Sequence, residues 1–458
     1  MELLKNKTFL NKTIIKDVLS LALPAVGEMI LYMMIWVIDT IMVGKYGGEL
    51  AVSTVGISSE ILYTFSNILI AQGIAVAITS IVARRYGAKE FNIAEEYASF
   101  GFAIGTLISI ITTLVIYIFA ENFLNLAGAQ PEVIALSLTY INIVCIGLSF
   151  NMMASILSAI QRAYGNTKTP LITSFIAVFI NLGLDAVLIF GLFGFPELGI
   201  KGAAIATAIS HVLAFLYSAT YTYKKSLIKV RLKYIINLSI SKIRILFKLS
   251  IPASLQEGAY GISRLATTFM IMYLGTTAFA ANQITLTLES ISFMPGWGFA
   301  VAATTLVGNK VGEKNYKKAK EYAYACTFLS VVIMLVFAVL FLTIPTQLIK
   351  LFIDSKETKV IALGASCLMV AALEQPTMAV SMVMGGALKG AGDTKTPFLV
   401  AVITSWFIRL PLVFYFIYLL KLSVVYFWVI CVIQWTLDGL LLFIFFKKQF
   451  KKIVLNEF

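Results

Sequence analysis

Charged residues are scarce in this chain, and their scarcity excludes most soluble folds. Only 13% of the 458 residues are Asp, Glu, Lys or Arg, whereas a soluble domain carries about 25%. Hydrophobic residues make up 59%, and the mean hydropathy is +0.90. Apolar runs of about 20 residues, the length that crosses a bilayer, recur along the sequence. Because these runs lack the alternation of a barrel, the composition predicts a polytopic all-helical membrane protein.

Residues that bind metals or perform covalent catalysis are also rare. The chain has one histidine and four cysteines, and the cysteines lie in apolar runs at unrelated spacings. Such cysteines are typical of small buried residues, not of disulfides or metal ligands. No phosphate-binding Walker motif occurs, so we expect the energy source to be an ion gradient. These absences argue against an enzyme, and no cofactor is expected.

The net charge of +13 comes from basic residues between the apolar runs. Lys and Arg cluster at the amino terminus, in alternate loops and in the tail, and the stretch 224–248 holds eight basic residues and no acid. Short loops of this kind lie on the cytoplasmic side of a membrane. We therefore predict that both termini are cytoplasmic, that the partner is the lipid bilayer, and that no nucleic acid is bound.

The apolar runs predict twelve transmembrane helices. They cover 17–43, 50–82, 96–120, 132–160, 169–192, 200–222, 249–274, 278–307, 323–346, 358–388, 396–419 and 423–446. The longer spans must tilt or protrude from the bilayer.

The sequence is an internal duplication. RAYGNTKTP at 162–170 returns as KGAGDTKTP at 389–397, and GIAVAITSIVARRYG at 73–87 returns as GFAVAATTLVGNKVG at 298–312. A repeat of six spans keeps the same orientation in both copies, which predicts two parallel, pseudo-symmetric lobes.

The predicted lobes have defined limits. We expect an amino-terminal six-helix lobe over 1–223, a cytoplasmic basic linker over 224–248, and a carboxy-terminal six-helix lobe with a short tail over 249–458.

Two acids lie in the outer halves of the first and fifth spans. Counting about 1.5 Å per residue places Asp39 and Asp185 at similar depth. Asn181 is one turn from Asp185, and Ala203 and Thr207, one turn apart in the sixth span, fall at that depth as well. Such oxygen atoms suit Na⁺, and two neighbouring carboxyls in a low dielectric suit proton carriage. The alternative is a buried hydrogen-bond network that braces the lobe.

Further side chains in the spans could line a substrate cavity: Glu257, Glu28, Glu289, Met33 and Trp36. Glu257 could act on substrate or ion, or it could pair with Arg264 two turns further along the seventh span. The other two acids could contact a cationic substrate or face a wet cavity. Methionines and aromatics adapt to varied ligands, but they are also ordinary in lipid-facing helices.

The second lobe does not repeat the acidic pair at the aligned positions. Aligning the prolines of the first and seventh spans places Thr267 opposite Asp39, and aligning the GxTKTP loops places Leu412 opposite Asp185. We therefore predict asymmetric coupling. Pro24 removes a hydrogen bond inside the first span, and we interpret it as a hinge through which ion binding becomes movement.

At these motifs the chain resembles the multidrug and toxic compound extrusion (MATE) family, and its amino-terminal acidic set resembles the DNA-damage-inducible-like branch. The matching residues are Pro24, Asp39, Gly44, 73–87, Asn166 to Lys168, Pro170, Asn181, Asp185, Gly202 to Ala204, Thr207, Pro252, 392–395 and Pro397. The resemblance implies a V-shaped pair of six-helix lobes, with Asp39, Asn181, Asp185 and Thr207 as the site for Na⁺ or a proton.

The resemblance also implies an activity. Such a protein exports amphipathic, often cationic organic compounds, drugs among them, against inward H⁺ or Na⁺. We expect a monomer in the plasma (inner) membrane of a bacterium or archaeon. The alternative is a flippase or exporter of a lipid-linked or other amphipathic metabolite in the same superfamily.

Overall fold

The computed structural model describes residues 11–236 and 239–455, apart from the side chains of Trp36 and 452–455, and contains no strand in those ranges. Its helices are α1 Lys12–Ser66, α2 Ala75–Gly87, α3 Phe91–Leu126, α4 Pro131–Ala163, α5 Lys168–Phe190, α6 Ile200–Lys224, α7 Leu232–Ile236, α8 Ile240–Met272, α9 Thr276–Gly312, α10 Tyr316–Thr343, α11 Pro345–Lys350, α12 Thr358–Ala371, α13 Gln375–Gly390, α14 Lys395–Val402, α15 Leu410–Val413 and α16 Val425–Leu455. Three π-helical segments, Asn67–Ile74, Ile403–Arg409 and Phe414–Leu419, continue α1, α14 and α15.

Nine helical stretches of the described chain are long and apolar enough to cross a membrane, or ten when α12 and α13, which meet at a 50° bend, count as one span. The first stretch, Lys12–Gly87, contains two predicted spans, because Gly48 breaks it with a non-helical backbone (φ 58°, ψ −145°). Glycine adopts this conformation without a Cβ clash. Helix α8 is 33 residues long but is less apolar, since it carries Glu257 and Arg264. The predicted all-helical membrane fold is confirmed.

The helices form two compact units whose boundaries fall close to Pro24 and at Pro252, the equivalent prolines of the duplication. Residues Gly27–Ile251 form one unit, called here the amino-terminal lobe. The chain up to Val26 and the residues Pro252–Phe458 form the other, called here the carboxy-terminal lobe. The start of α1, which the sequence assigns to the amino-terminal lobe, belongs to the carboxy-terminal lobe. The basic stretch, which the sequence assigns to a separate linker, belongs to the amino-terminal lobe.

The start of α1 belongs to the carboxy-terminal lobe because of its apolar stripe. Ile14, Val18 and Ala22 recur at helical spacing and are buried in the core of that lobe. The Tyr322 hydroxyl donates to Asp17 Oδ2 at 2.6 Å and fixes the same helix end.

The basic linker belongs to the amino-terminal lobe because it pairs with the first turns of α3. Arg231 donates to Glu95 at 2.5 and 3.1 Å. Lys242 forms an ion pair with Glu96. The stretch predicted as a linker is therefore anchored to α3 at Arg231 and at Lys242.

Close packing of α6 against α4 and α5 positions the acidic side chains of the amino-terminal lobe. A Cβ atom added to Gly147 of α4 would meet Ala208 Cα at 2.5 Å, and one added to Gly202 of α6 would meet the Leu188 carbonyl oxygen at 2.5 Å. Small residues allow the backbones of membrane helices to approach in this way. The contact at Gly202 brings Thr207 to the level of Asp185.

Candidate cation-coupling site

Four polar side chains from three helices meet inside the amino-terminal lobe. Asp39 on α1, Asn181 and Asp185 on α5 and Thr207 on α6 are all at most 5% exposed. Asn181 Nδ2 donates to Thr207 Oγ1 at 3.4 Å. The Thr207 hydroxyl lies 2.9 Å from the Ala203 carbonyl oxygen and 3.5 Å from Asp39 Oδ2. The structure thus brings together the five residues that depth counting selects.

The two carboxyl groups of this site are neighbours and interact directly. Within the described residues, no donor meets hydrogen-bond geometry with Asp39 Oδ1 or with either oxygen of Asp185, and all three atoms are buried. Asn181 is near enough to Asp185 to interact with it. A buried carboxylate without a compensating partner is strongly unfavourable. The pair therefore needs a proton or a small cation to be stable in this environment.

Tyr140 of α4 is a member of the site that the sequence interpretation missed. Its side chain is 2% exposed and interacts with Ser59, Thr207 and Asp39. Tyr140 is one of 20 tyrosines and carries no distinguishing spacing. Only the packing of α4 against α1 and α6 identifies it.

Glu28, a predicted cavity residue, lies in an ion pair. Arg162 Nη1 donates to Glu28 Oε1 at 2.7 Å, and the two side chains are 12% and 10% exposed. The pair links α1 to the end of α4, where the GxTKTP loop begins. Met33, on the same helix, is half-buried, and the side chain of Trp36 lies outside the described part of the structure.

Glu257 and Glu289 lie in the carboxy-terminal lobe. Glu257 interacts electrostatically with Arg264, as the pairing hypothesis requires, and also with Lys389. Glu289 is beside the fully buried Glu374. The structure therefore places each predicted glutamate of this lobe next to at least one other charged group.

The carboxy-terminal lobe holds a further buried acid, Asp438 of α16, which the sequence interpretation overlooked. Its carboxyl group is fully buried and accepts hydrogen bonds from Ser381 at 2.5 Å, Tyr260 at 2.9 Å and Thr404 at 3.0 Å. A single acid in an apolar run is the same signal that singles out Asp39, so the sequence contained it. Buried acids are thus present in both lobes. Among the described residues, three oxygens of the Asp39 and Asp185 pair and both carboxyl oxygens of Glu374 have no hydrogen-bond donor.

The side chains of this arrangement offer oxygen atoms as ligands. Among the residues that the structure describes, no group of three or more His, Cys, Asp or Glu side chains could hold a metal ion. The oxygens of the amino-terminal site instead match the ligands of Na⁺, which are carboxylate, amide, hydroxyl and carbonyl oxygens.

Apolar helices in two duplicated units, with unpaired acids buried among them, define a polytopic membrane transporter. The MatE family model matches residues 24–187 and 252–415, which are the two copies of the duplication. The chain belongs to this family, the multidrug and toxic compound extrusion transporters. The resemblance inferred from the motifs is confirmed, and the protein is a transporter and not an enzyme.

Individual relatives agree with this placement. The chain is 29% identical over 417 residues to a probable multidrug resistance protein NorM of Thermotoga maritima, with 90% of this chain and 88% of the relative covered. It is 27% identical to the multidrug resistance protein MdtK of Pectobacterium atrosepticum, with 86% and 85% covered. An outward-facing multidrug resistance MATE transporter of the MOP superfamily superimposes with a TM-score of 0.89 at 18% identity, covering 96% of each chain. These matches agree with a membrane transporter of the MATE fold.

Proposed function

We propose that the protein exports amphipathic, often cationic organic compounds in exchange for inward H⁺ or Na⁺, and that the ion binds at Asp39 and Asp185. The observation that carries this proposal is the buried carboxyl pair with three oxygens that lack a donor among the described residues. A structural brace would present donors to those oxygens, as the three hydroxyl groups around Asp438 do.

The site can take either ion. A proton would neutralise one carboxyl and let it donate to the other. A Na⁺ ion would use Asp39 and Asp185 with oxygens of Asn181, Thr207 and the Ala203 carbonyl group, and no cofactor beyond the coupling ion is needed. A membrane potential of 100 mV contributes about 2.3 kcal/mol for each charge that enters.

Pro24 would convert ion binding into movement. Helix α1 belongs to one unit up to Val26 and to the other from Gly27, so its proline lies at the junction. Asp39 is about 22 Å further along the same helix at 1.5 Å per residue. Neutralising Asp39 would change the packing of the helix beyond that junction while the part before it stays in place. We place the protein in the plasma membrane as a monomer, with both termini cytoplasmic.

The test uses proteoliposomes with imposed Na⁺ or H⁺ gradients and a fluorescent organic cation as substrate. We expect gradient-driven transport by wild type and its loss in Asp39→Asn and Asp185→Asn. Thr113→Val, which removes a buried hydroxyl elsewhere in the lobe, serves as the matched control and should keep coupled transport. Undiminished coupled transport by both acid variants would contradict the proposal.

A further inference from the structure

Arg409 is a buried charge in an apolar span of the carboxy-terminal lobe. The residue is 8% exposed. Its Nη2 atom donates to Thr267 Oγ1 at 2.9 Å, its Nη1 atom donates to Gln434 Oε1 at 3.2 Å, and its guanidinium group lies 5.7 Å from the centre of the Phe427 ring. An arginine at this depth is costly and is usually retained for a function.

The hydroxyl group that Arg409 contacts occupies the position equivalent to Asp39. The two segments matched by the family model begin at residues 24 and 252 and end at 187 and 415, so the copies are offset by 228 residues at both ends. With this offset, Thr267 is the counterpart of Asp39.

Arg409 itself is the counterpart of Asn181. The GxTKTP loops at 162–170 and 389–397 are offset by 227 residues, so one residue is gained between that loop and residue 415. The π-helical segment Ile403–Arg409 lies in this interval, and a π-helical turn accommodates one extra residue. Arg409 is the last residue of this segment, and the offset of 228 that holds at residue 415 aligns it with Asn181.

The two equivalent sites therefore differ in charge: an acid of the amino-terminal lobe has a neutral counterpart, and a neutral amide has a basic one. In the amino-terminal lobe, two carboxyl groups face each other, and within the described residues three of their oxygens have no donor. In the carboxy-terminal lobe, a guanidinium group binds the counterpart of Asp39, and both Glu289 and Glu374 interact with it electrostatically. A covalently attached cation lies where the other lobe would bind one from solution.

We propose that Arg409 is a tethered cation that fills the carboxy-terminal counterpart of the Asp39 site, so that the coupling ion exchanges in the amino-terminal lobe alone. The proposal rests on the proposed function and adds the number of exchanging sites. When Arg409 is replaced by a neutral residue, Glu374 loses the cation that interacts with it and Glu289 keeps Arg264 alone, so an ion from solution takes the place of the guanidinium group.

The experiment measures the coupling ratio, which is the number of ions exchanged per substrate molecule. Purified protein in liposomes transports ethidium under graded H⁺ gradients or, in separate samples, Na⁺ gradients, and the gradient at which net flux is zero gives the ratio. We expect Arg409→Gln to raise the ratio by one. Arg409→Lys, which keeps the positive charge, is the matched control and should have the wild-type ratio.

A second variant allows the proposal to be tested even if Arg409→Gln does not fold. Thr267→Asp combined with Arg409→Asn places an aspartate and an asparagine at the counterparts of Asp39 and Asn181, and it should raise the ratio by one as well. A wild-type ratio in either folded variant, or a raised ratio in Arg409→Lys, would overturn the inference. Asp39→Asn separates the two proposals: loss of coupling in this variant together with a wild-type ratio in Arg409→Gln refutes the role of Arg409 and leaves the proposed function standing.

Discussion

The ion pair between Glu28 and Arg162 gives a quantitative prediction about Glu28. From the sequence, Glu28 could contact a cationic substrate or face a wet cavity. Both side chains are nearly buried, at 10% and 12% exposure, so the discount for a solvent-screened surface pair does not apply. Removing one partner of a buried pair costs about 3–5 kcal/mol, whereas replacing both charges together is close to neutral. We therefore expect Glu28→Gln and Arg162→Gln each to lose about 3–5 kcal/mol of unfolding free energy, and the double variant to recover most of it.

The assay is reversible unfolding in mixed micelles titrated with SDS, for the four proteins of the double-mutant cycle. Transport of an organic cation is measured for the same proteins. The transport rate distinguishes a pair that only stabilises the fold from a Glu28 side chain that binds substrate. A structural pair predicts that the double variant transports at nearly the wild-type rate. Additive losses of stability would refute the ion-pair reasoning, and a double variant that is stable but inactive would assign Glu28 to substrate binding.

Three further variants test the packing, the site and the hinge. Gly202→Ala forces a Cβ atom to 2.5 Å from the Leu188 carbonyl oxygen. We therefore expect its free energy of unfolding to fall by about 1–3 kcal/mol in the same assay. Gly183→Ala is the control and should not lose stability, because a Cβ atom there would have no atom within 4 Å. Tyr140→Phe removes a hydroxyl beside the acid pair, and the apparent ion affinity in transport should fall roughly fivefold, which corresponds to about 1 kcal/mol; an unchanged affinity would exclude Tyr140 from the site. Pro24→Ala restores a helix hydrogen bond, so stability should rise while the transport rate falls, and wild-type transport would argue against the hinge.

Much of this fold follows from local sequence. Apolar runs determine the spans, because each must cross the same hydrocarbon thickness. Because a helix rises by a constant distance per residue, the position of a residue in its span gives its depth in the membrane. This counting groups Asp39, Asn181, Asp185 and Thr207 at similar depth. The orientation of the loops and the duplicated motifs supply the direction in which each depth is counted.

The remaining features depend on which helices are neighbours, and periodicity does not specify that. Glu28 and Arg162 are 134 residues apart, and Thr267 and Arg409 are 142 residues apart. The one-residue shift that aligns Arg409 with Asn181 falls in an interval that contains a π-helical segment, and such a segment leaves no mark in the hydropathy pattern. The lobe boundary near Pro24 likewise depends on the packing of Ile14 and Val18 in a core formed by residues hundreds of positions away.

The central claim is that the neighbouring carboxyl groups of Asp39 and Asp185 bind the coupling ion. The most direct measurement is equilibrium ion binding to purified protein, with ²²Na⁺ for sodium and with proton uptake after a pH step for H⁺. We predict that wild type binds one of these ions and that the variant carrying Asp39→Asn and Asp185→Asn loses that binding while it remains folded. If the double variant bound Na⁺ and H⁺ to the same extent as wild type, the account would be contradicted.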